Sequence, residues 1–213
     1  MLLADARLPT SGHTQSAGLE AALLGGLDPG DVLDYCRTRL ATVTLVDAAT
    51  AVVCRHRALA SRGTADVEEA WAARTPSEAL RDAARTLGRA HRRLALHLWP
   101  AAPELAELHP LRGPTRPRVL GLMAAAGGLS EAQLVRLVGY DDVQSVLAAS
   151  LKLNPGDPMD AARSVLELAP EIEALVPHCV GRTDPDDLPA PSAPLIEAWA
   201  QAHAVTPRRL FRA

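Results

Sequence analysis

The hydrophobic pattern is most continuous over residues 40–54, where LATVTLVDAATAVVC is apolar on nearly every face of a helix. This pattern predicts a buried central helix. Asp47 lies in the middle of it, and a buried carboxylate must be paired or hydrogen-bonded because desolvating it alone costs several kcal/mol. Two interpretations stay open. Asp47 either bonds a neighbouring backbone group or an arginine, or belongs to the polar lining of an internal channel.

Capping signals divide the rest of the chain into helices. Asp28-Pro29 opens a long segment toward Arg62, since a capping carboxylate precedes a proline at the first helical position. The same devices predict helices from Thr75-Pro76-Ser77-Glu78 to about Trp99, from Ser130-Glu131-Ala132-Gln133 to about Leu153, from Asp157-Pro158 until Pro170 interrupts it, and from Ser192 to about Ala204.

The remaining segments predict loops rather than strands. Residues 99–117 and 181–191 are rich in proline, and no stretch alternates apolar and polar residues long enough for a convincing strand. The sequence therefore predicts an all-α protein, a single-domain helical bundle over residues 1–213. An extended C-terminal tail at residues 205–213 completes it.

Composition narrows the class of protein. Hydrophobic residues make up 48% and charged residues 22%, which is typical of a soluble globular chain. The net charge of -3 argues against a nucleic-acid binder, and no apolar run is long enough to span a bilayer. The three cysteines, Cys36, Cys54 and Cys179, form no disulfide pattern and fit a reducing compartment. We expect a cytoplasmic protein that binds neither nucleic acid nor membrane.

Signatures of catalysis and of tight metal binding are missing. The sequence has no GxxxxGK[ST], GxSxG or HExxH motif, and Lys152, its only lysine, follows no glycine-rich loop. The seven histidines form no HxH or HxxxH pair, and His91 and His97 fall on separate faces of a helix. The sequence predicts no catalytic residue, no cofactor and no metal site.

Arginines recur at four-residue spacing in the helix predicted from Thr75-Pro76-Ser77-Glu78 to about Trp99. They form one basic ridge made of Arg81, Arg85, Arg89 and Arg93, with Arg92 beside them. A solvated face, a contact with an acidic protein partner and an RNA contact all remain open. RNA is the least favoured because no aromatic residues interleave for base stacking.

Three segments match one family pattern in the correct order. Residues 2–25, LLADARLPTSGHTQSAGLEAALLG, approximate L-x-D-S-x-L-P-T-G-x-x-x-H-S-x-G-x-E. Residues 74–87, RTPSEALRDAARTL, followed by Gly88, approximate R-x-x-P-x-x-x-R-x-A-x-x-x-G. The C-terminal segment carries an acidic-apolar helix, a histidine and a final R-L-F, at Leu195, His203, Arg209, Leu210 and Phe211. Together these segments resemble the UreF family of urease accessory proteins along the whole chain.

The chain departs from the family pattern at several positions. Ser11-Gly12 replaces the paired glycine after Pro9-Thr10. Gln15 stands where the family often has histidine. In the stretch that resembles A-V-R-L-x-P-L-G-Q, Lys152 replaces arginine and Asp157 replaces glutamine. An ammonium group cannot make the bidentate contacts of a guanidinium, so any role that needs those contacts is altered at Lys152.

The resemblance implies a non-enzymatic adaptor. It implies an all-helical homodimer that binds a UreD/UreH-type accessory protein, recruits a UreG-type GTPase carrying nickel, and docks on apo-urease to assist nickel insertion. Two alternatives from other classes stay open. One is a helical ligand-binding or regulatory domain, although no basic helix-turn-helix is apparent. The other is an all-α enzyme without a recognised motif.

The resemblance also indicates which residues contact a partner. They are Glu20, Lys152, Leu195, His203, Arg209, Leu210 and Phe211. For Glu20 the alternative stays open that it is a structural acid in the first turn of a helix, where a carboxylate favours the positive end of the helix dipole. Phe211 is the only phenylalanine and lies at the extreme end of the chain among arginines, a composition typical of an interface anchor. We expect a tail that is mobile in the isolated protein and becomes ordered against the UreD/UreH-type partner. The alternative is that Leu210 and Phe211 fold back onto the protein's own core.

Overall fold

The computed structural model describes residues 2–5, 8, 10, 14–207 and 210–211, and every regular element in these residues is helical. The all-α prediction is confirmed. The α-helices are α1 (Leu19–Leu24), α2 (Val32–Arg39), α3 (Leu45–Leu59), α4 (Ala65–Ala73), α5 (Glu78–Leu98), α6 (Arg116–Ala126), α7 (Glu131–Leu153), α8 (Pro158–Glu167), α9 (Ala169–Cys179) and α10 (Pro194–Ala204). Short 3-10 turns lie at Leu2–Ala4, Pro29–Asp31, Pro103–Leu108 and Pro185–Asp187.

Helix α3 is the centre of the bundle. Most of its residues are buried, as the apolar pattern predicts, and it packs against α6 and α7. A π-helical turn, Leu40–Thr44, joins α2 to α3, so the predicted segment runs almost unbroken from Pro29 to Leu59. None of the described helices is both long and apolar enough to cross a membrane.

A buried ion pair fixes the π-helical turn against α7. The Arg39 guanidinium donates to both carboxylate oxygens of Asp142, at 2.9 and 2.6 Å, and the Thr44 hydroxyl donates to the same carboxylate at 2.9 Å. Burial alone would raise the pKa of Asp142, but the Arg39 charge and these hydrogen bonds hold it below its ordinary value. The pair therefore specifies how α2, α3 and α7 meet.

Most predicted helix starts are confirmed, with one shift. Ser130 and Gln133 form the predicted capping box of α7, and Asp157 caps α8. Helix α5 begins later than its motif suggests, because Ser77 rather than Thr75 accepts the capping hydrogen bond, from Leu80 N–H. The predicted break near Pro170 falls at Leu168, between α8 and α9.

Helices α4 and α6 were not predicted. Helix α6 begins inside the proline-rich segment for which the sequence predicts a loop. Pro117 lies in its first turn, where a missing backbone N–H is tolerated. Arg118 of α6 is buried and donates to Thr64 Oγ1 and to Glu68, which ties α6 to α4. A charged residue inside the core is a tertiary feature that hydrophobic periodicity does not indicate.

Helix α5 passes unusually close to the segment before α6. A Cβ atom built on Gly88 would lie 1.9 Å from Pro114 O and 2.8 Å from Thr115 C, and both are backbone atoms. Gly88 is also the glycine of the central motif. Its role here is to allow backbone contact between α5 and the α6 entry.

We predict that Gly88→Ala lowers the free energy of unfolding by roughly 3 kcal/mol, because the added methyl overlaps backbone that cannot move alone. Urea titration followed by circular dichroism measures this. Gly63→Ala is the matched control, since no described atom lies within 4 Å of its added methyl. Equal stability of the two variants would contradict the close approach.

Candidate protein-docking site at the chain ends

A tight turn positions the N-terminal end of α1. Gly18 has φ +79°, and a Cβ there would lie 2.8 Å from the Tyr35 hydroxyl, so the position favours glycine. Tyr35 donates to Ala17 O at 2.9 Å. The Ser16 hydroxyl accepts the Glu20 N–H at 3.3 Å. These contacts place Glu20 in the first turn of α1.

The Glu20 carboxylate joins the two ends of the chain. Its Oε1 accepts the Leu210 N–H at 2.6 Å, and its Oε2 accepts the Phe211 N–H at 2.8 Å. His203 Nε2, at the end of α10, lies 3.1 Å from the same Oε2 atom. Glu20 is only 6% exposed and His203 is also buried. We call Glu20, His203, Leu210 and Phe211 the tail clamp.

The Phe211 ring completes the clamp. It is 3% exposed, and Lys152 Nζ from α7 lies 5.3 Å from the ring centroid, within cation–π range. A cavity of about 130 Å³ adjoins the ring. Its apolar lining comes from both the N-terminal segment and the bundle and includes Leu3, Leu8, Leu94, Leu120 and Met123.

The structure brings five of the seven predicted partner-binding residues together: the four clamp residues and Lys152. Leu195 lies apart from them, at the start of α10, and Arg209 is outside the described residues. The Phe211 ring is buried against the bundle, which favours the fold-back alternative for this residue. Ordering of the tail by a partner stays a prediction. The Leu210 side chain, in contrast, remains 65% exposed.

Helix α10 presents an apolar strip on its outer side. Leu195 is 66% exposed and Val205, just after the helix, is 83% exposed. Ala198 and Ala202 are exposed between them at helical spacing. We call Leu195, Ala198, Ala202 and Val205, together with Leu210, the α10 face. Exposed apolar side chains at helical spacing are a common feature of protein-docking surfaces.

The inner side of α10 borders a polar cleft of about 580 Å³, which we call the central cleft. Asp47 lines it, and Trp71 Nε1 donates to Asp47 Oδ1 at 2.7 Å. The expected bond to backbone or arginine is therefore wrong, since the partner is an indole. The channel-like interpretation gains support because the carboxylate faces a cleft. Burial raises the pKa of Asp47, while the Arg116 charge and the Trp71 hydrogen bond oppose this rise.

His91 of α5 also lines the central cleft. Its Nδ1 donates to Leu87 O at 2.8 Å, because a carbonyl can only accept. Burial lowers the pKa of His91 to about 4, and the nearby Arg116 charge acts in the same direction. The imidazole is therefore neutral in the folded protein near pH 7.

The described part of the chain contains neither a metal-binding cluster nor a reactive thiol. No group of three or more His, Cys, Asp or Glu residues there could hold a metal ion. The three cysteines are buried, and burial raises the pKa of Cys36 and of Cys179 to about 12. Thiols with such pKa values stay protonated and unreactive at neutral pH.

The basic ridge on α5 is partly committed to internal contacts. Arg81 donates to Thr75 O and Pro76 O, and Arg92 donates to Leu108 O and His109 O. Arg85 pairs with Asp82 on the same helix. Several of these guanidinium groups therefore make contacts within the fold. A contact between the ridge and an acidic protein partner stays a prediction.

Comparison with known proteins assigns a family to this arrangement. The family model described as UreF matches residues 27–169, about two thirds of the chain. The chain belongs to the UreF family. The matched span includes the central motif but leaves out Glu20 and α10, so the tail clamp lies beyond it.

Full-length relatives extend the similarity to the chain ends. A protein of Mycobacterium sp. (strain JLS), named urease accessory protein UreF, is 34% identical over 213 residues, which cover 99% of this chain and 96% of the relative. The proteins of the same name from Mycolicibacterium vanbaalenii and Mycobacterium marinum are 33% and 32% identical, with the same coverage. The UreF-family chain described here is therefore a urease accessory protein.

The family motif residues have physical roles in this UreF chain. Arg74 donates to Leu188 O, Asp186 O and Ala70 O, which holds the 181–191 segment against α4. The divergent positions also have roles. Asp157 caps α8, and Lys152 covers the Phe211 ring.

We predict that Phe211→Ala lowers the free energy of unfolding by about 3 kcal/mol, because a buried aromatic ring is lost. Leu210→Ala is the control one residue away and should change it by less than about 0.5 kcal/mol, since that side chain is exposed. Urea titration of both variants provides the measurement. If Phe211→Ala behaved like Leu210→Ala, the ring would not be part of the core in solution.

A second prediction concerns pH. Below pH 6.5 the His91 imidazole takes up a proton in the unfolded chain, but in the folded chain it stays neutral until the pH approaches 4. Stability from this residue is therefore present above pH 6.5 and falls with the pH, by about 2 kcal/mol at pH 5. We expect His91→Gln to flatten the decline of unfolding free energy between pH 7 and pH 5. The exposed His97→Gln on the same helix should leave the slope unchanged.

Proposed function

We propose that this protein is a non-enzymatic adaptor for nickel incorporation into urease. In this proposal it binds a UreD/UreH-type protein, recruits a UreG-type GTPase and presents the assembly to apo-urease. Membership of the UreF family is the main support. The sequence carries no phosphate-binding loop, and the described residues contain no three-ligand metal cluster, so an indirect role in nickel delivery fits better than a resident metal centre.

The α10 face is the proposed docking surface for the UreD/UreH-type partner. It combines large exposed apolar side chains with small alanines, so a partner can approach the helix closely. Burying one leucine contributes roughly 1.5–3 kcal/mol, and about 1.4 kcal/mol changes a dissociation constant tenfold. Leu195 and Leu210 alone could therefore change affinity by two or more decades.

The buried clamp residues would act on docking indirectly. Glu20 and His203 are covered by the protein itself, so their proposed role is to hold residue 210 beside the end of α10. Lys152 and Phe211 anchor the same segment from the α7 side. In this arrangement the internal residues position the tail, and the exposed residues Leu195 and Leu210 make the contact.

Two further features belong to the proposal. We infer a cytoplasmic homodimer from the family resemblance, with no nucleic-acid or membrane partner. The alternative function, a helical ligand-binding or regulatory domain, draws support from one observation, the central cleft, whose volume lies in the range of ligand pockets.

We predict that the double substitution Leu195→Asp and Leu210→Asp weakens binding to the UreD/UreH-type partner at least tenfold. It should leave the melting temperature within about 2 °C of the unmodified protein, because both side chains are exposed. Isothermal titration calorimetry with the purified partner measures the affinity. Urease activation in a reconstituted system should fall with it.

The matched control is Met159→Asp with Leu166→Asp. These residues are equally exposed and apolar but lie on α8, so partner affinity should stay within about twofold. Loss of binding in the α8 variant with retention in the α10 variant would move the docking surface to α8. Normal binding and activation by both variants would refute the adaptor surface proposed here.

A further inference from the structure

The central cleft runs from the protein surface to its interior. Asp82 and Arg89 of α5 line its outer part and are exposed. Trp71 of α4 and Asp142 of α7 line its inner part and are buried. A small molecule can thus reach side chains that the bundle otherwise encloses.

The charged groups that line the central cleft differ in how they are paired. Four carboxylates and three guanidiniums face it: Asp47, Asp82, Asp141 and Asp142, and Arg39, Arg89 and Arg116. Arg39 pairs with Asp142 in the interior, and Arg116 pairs with the partly exposed Asp141. At the outer end, Asp82 pairs with Arg85. This leaves Asp47 as the carboxylate without an ion-pair partner among the described residues.

Neither of the two described histidines that line the cleft is an ion-pair partner of Asp47. His91 is neutral at pH 7, because burial and Arg116 lower its pKa to about 4. His203 lies against Glu20 instead. Arg116 and Arg39 act on Asp47 through space, without a direct ion pair among the described residues. Among the described residues the Asp47 carboxylate has one hydrogen bond, to Oδ1 from Trp71, so Oδ2 remains as an acceptor toward the cleft.

A cation with N–H donors is the chemistry that such a carboxylate recognises. A charge in the interior is costly unless it is paired and hydrogen-bonded, and burial raises the pKa of Asp47 for the same reason. Inner-sphere metal binding would need several convergent ligands, and the described residues form no such group around Asp47. An ammonium group needs only one carboxylate and nearby hydroxyls.

The walls of the cleft restrict the chemistry of the ligand further. Val43, Leu80, Ala83, Ala84 and Leu87 provide apolar surface, and Thr75 and Ser145 provide hydroxyls. We propose that the central cleft binds a small primary alkylammonium ion, with Asp47 as its counter-ion and the α5 wall covering its short hydrocarbon chain. The Trp71 indole, bonded to the same carboxylate, is the natural reporter of occupancy.

The test uses the indole N–H resonances of the ¹⁵N-labelled full-length protein. The three tryptophans give three such signals, and Trp71→Phe identifies the one from Trp71. Titration with propylammonium chloride should shift the Trp71 signal saturably and leave those of Trp99 and Trp199 in place. Sodium chloride and tetramethylammonium chloride at equal ionic strength should not, since neither cation carries an N–H donor.

Asp47→Asn should weaken propylammonium binding at least tenfold, because it removes the charge but keeps an oxygen for Trp71. Asp82→Asn, at the outer end of the cleft, should keep the affinity within about threefold. If Asp47→Asn does not fold, the salt comparison on the unmodified protein decides alone. Equal shifts with tetramethylammonium, no saturable shift up to 50 mM (roughly the weakest affinity an ordered site would show), or a response to Ni²⁺ alone would overturn the proposal.

Discussion

The arrangement of the chain ends depends on one buried carboxylate, that of Glu20. Burying a carboxylate is unfavourable unless its lone pairs are used, and here the C-terminal segment supplies two backbone N–H donors. The imidazole of His203, at the end of α10, lies against the same carboxylate. Chain termini usually fray, so the order at residues 210–211 follows from what Glu20 requires rather than from the propensity of the tail itself. The same contact aligns α1 with α10 and thereby sets the α10 face.

In the interior of the bundle, buried carboxylates also have partners, but these are arginine side chains rather than backbone N–H groups. Its core is built mostly from alanine, valine and leucine, which let helices approach closely, as Gly88 does at the α5–α6 contact. Two buried ion pairs join its helices, Asp142 with Arg39 and Arg118 with Glu68. Because breaking such a pair leaves a buried charge, each one favours a single arrangement of the helices it joins. Asp47 differs, since its hydrogen bond among the described residues is to an indole.

The sequence predicted the local structure better than the tertiary contacts. Capping motifs at Asp28, Ser130 and Asp157 located helix starts because their chemistry is contained within four residues. The sequence does not predict helix α6, because the proline in its first turn resembles a loop signal. The partners of Asp47 and Glu20 could not be predicted from spacing, since Trp71 is 24 positions away and Phe211 is 191 away. The resemblance named the clamp residues as partner contacts but gave no indication that they meet one another.

Helix α10 connects the two sites described above. Leu195, Ala198 and Ala202 face outward from it, while His203 and Ala204 line the central cleft. One helix therefore separates the proposed docking surface from the cleft. His203 also belongs to the clamp that holds the tail, so a displacement of α10 by a partner would move a cleft wall and the Glu20 contact together. Since α10 packs mainly on α1 and α5, and α5 forms the opposite wall of the cleft, such a displacement changes the width of the cleft directly. Coupling between partner binding and cleft access would then need no long-range pathway, because a single rigid helix is shared by both.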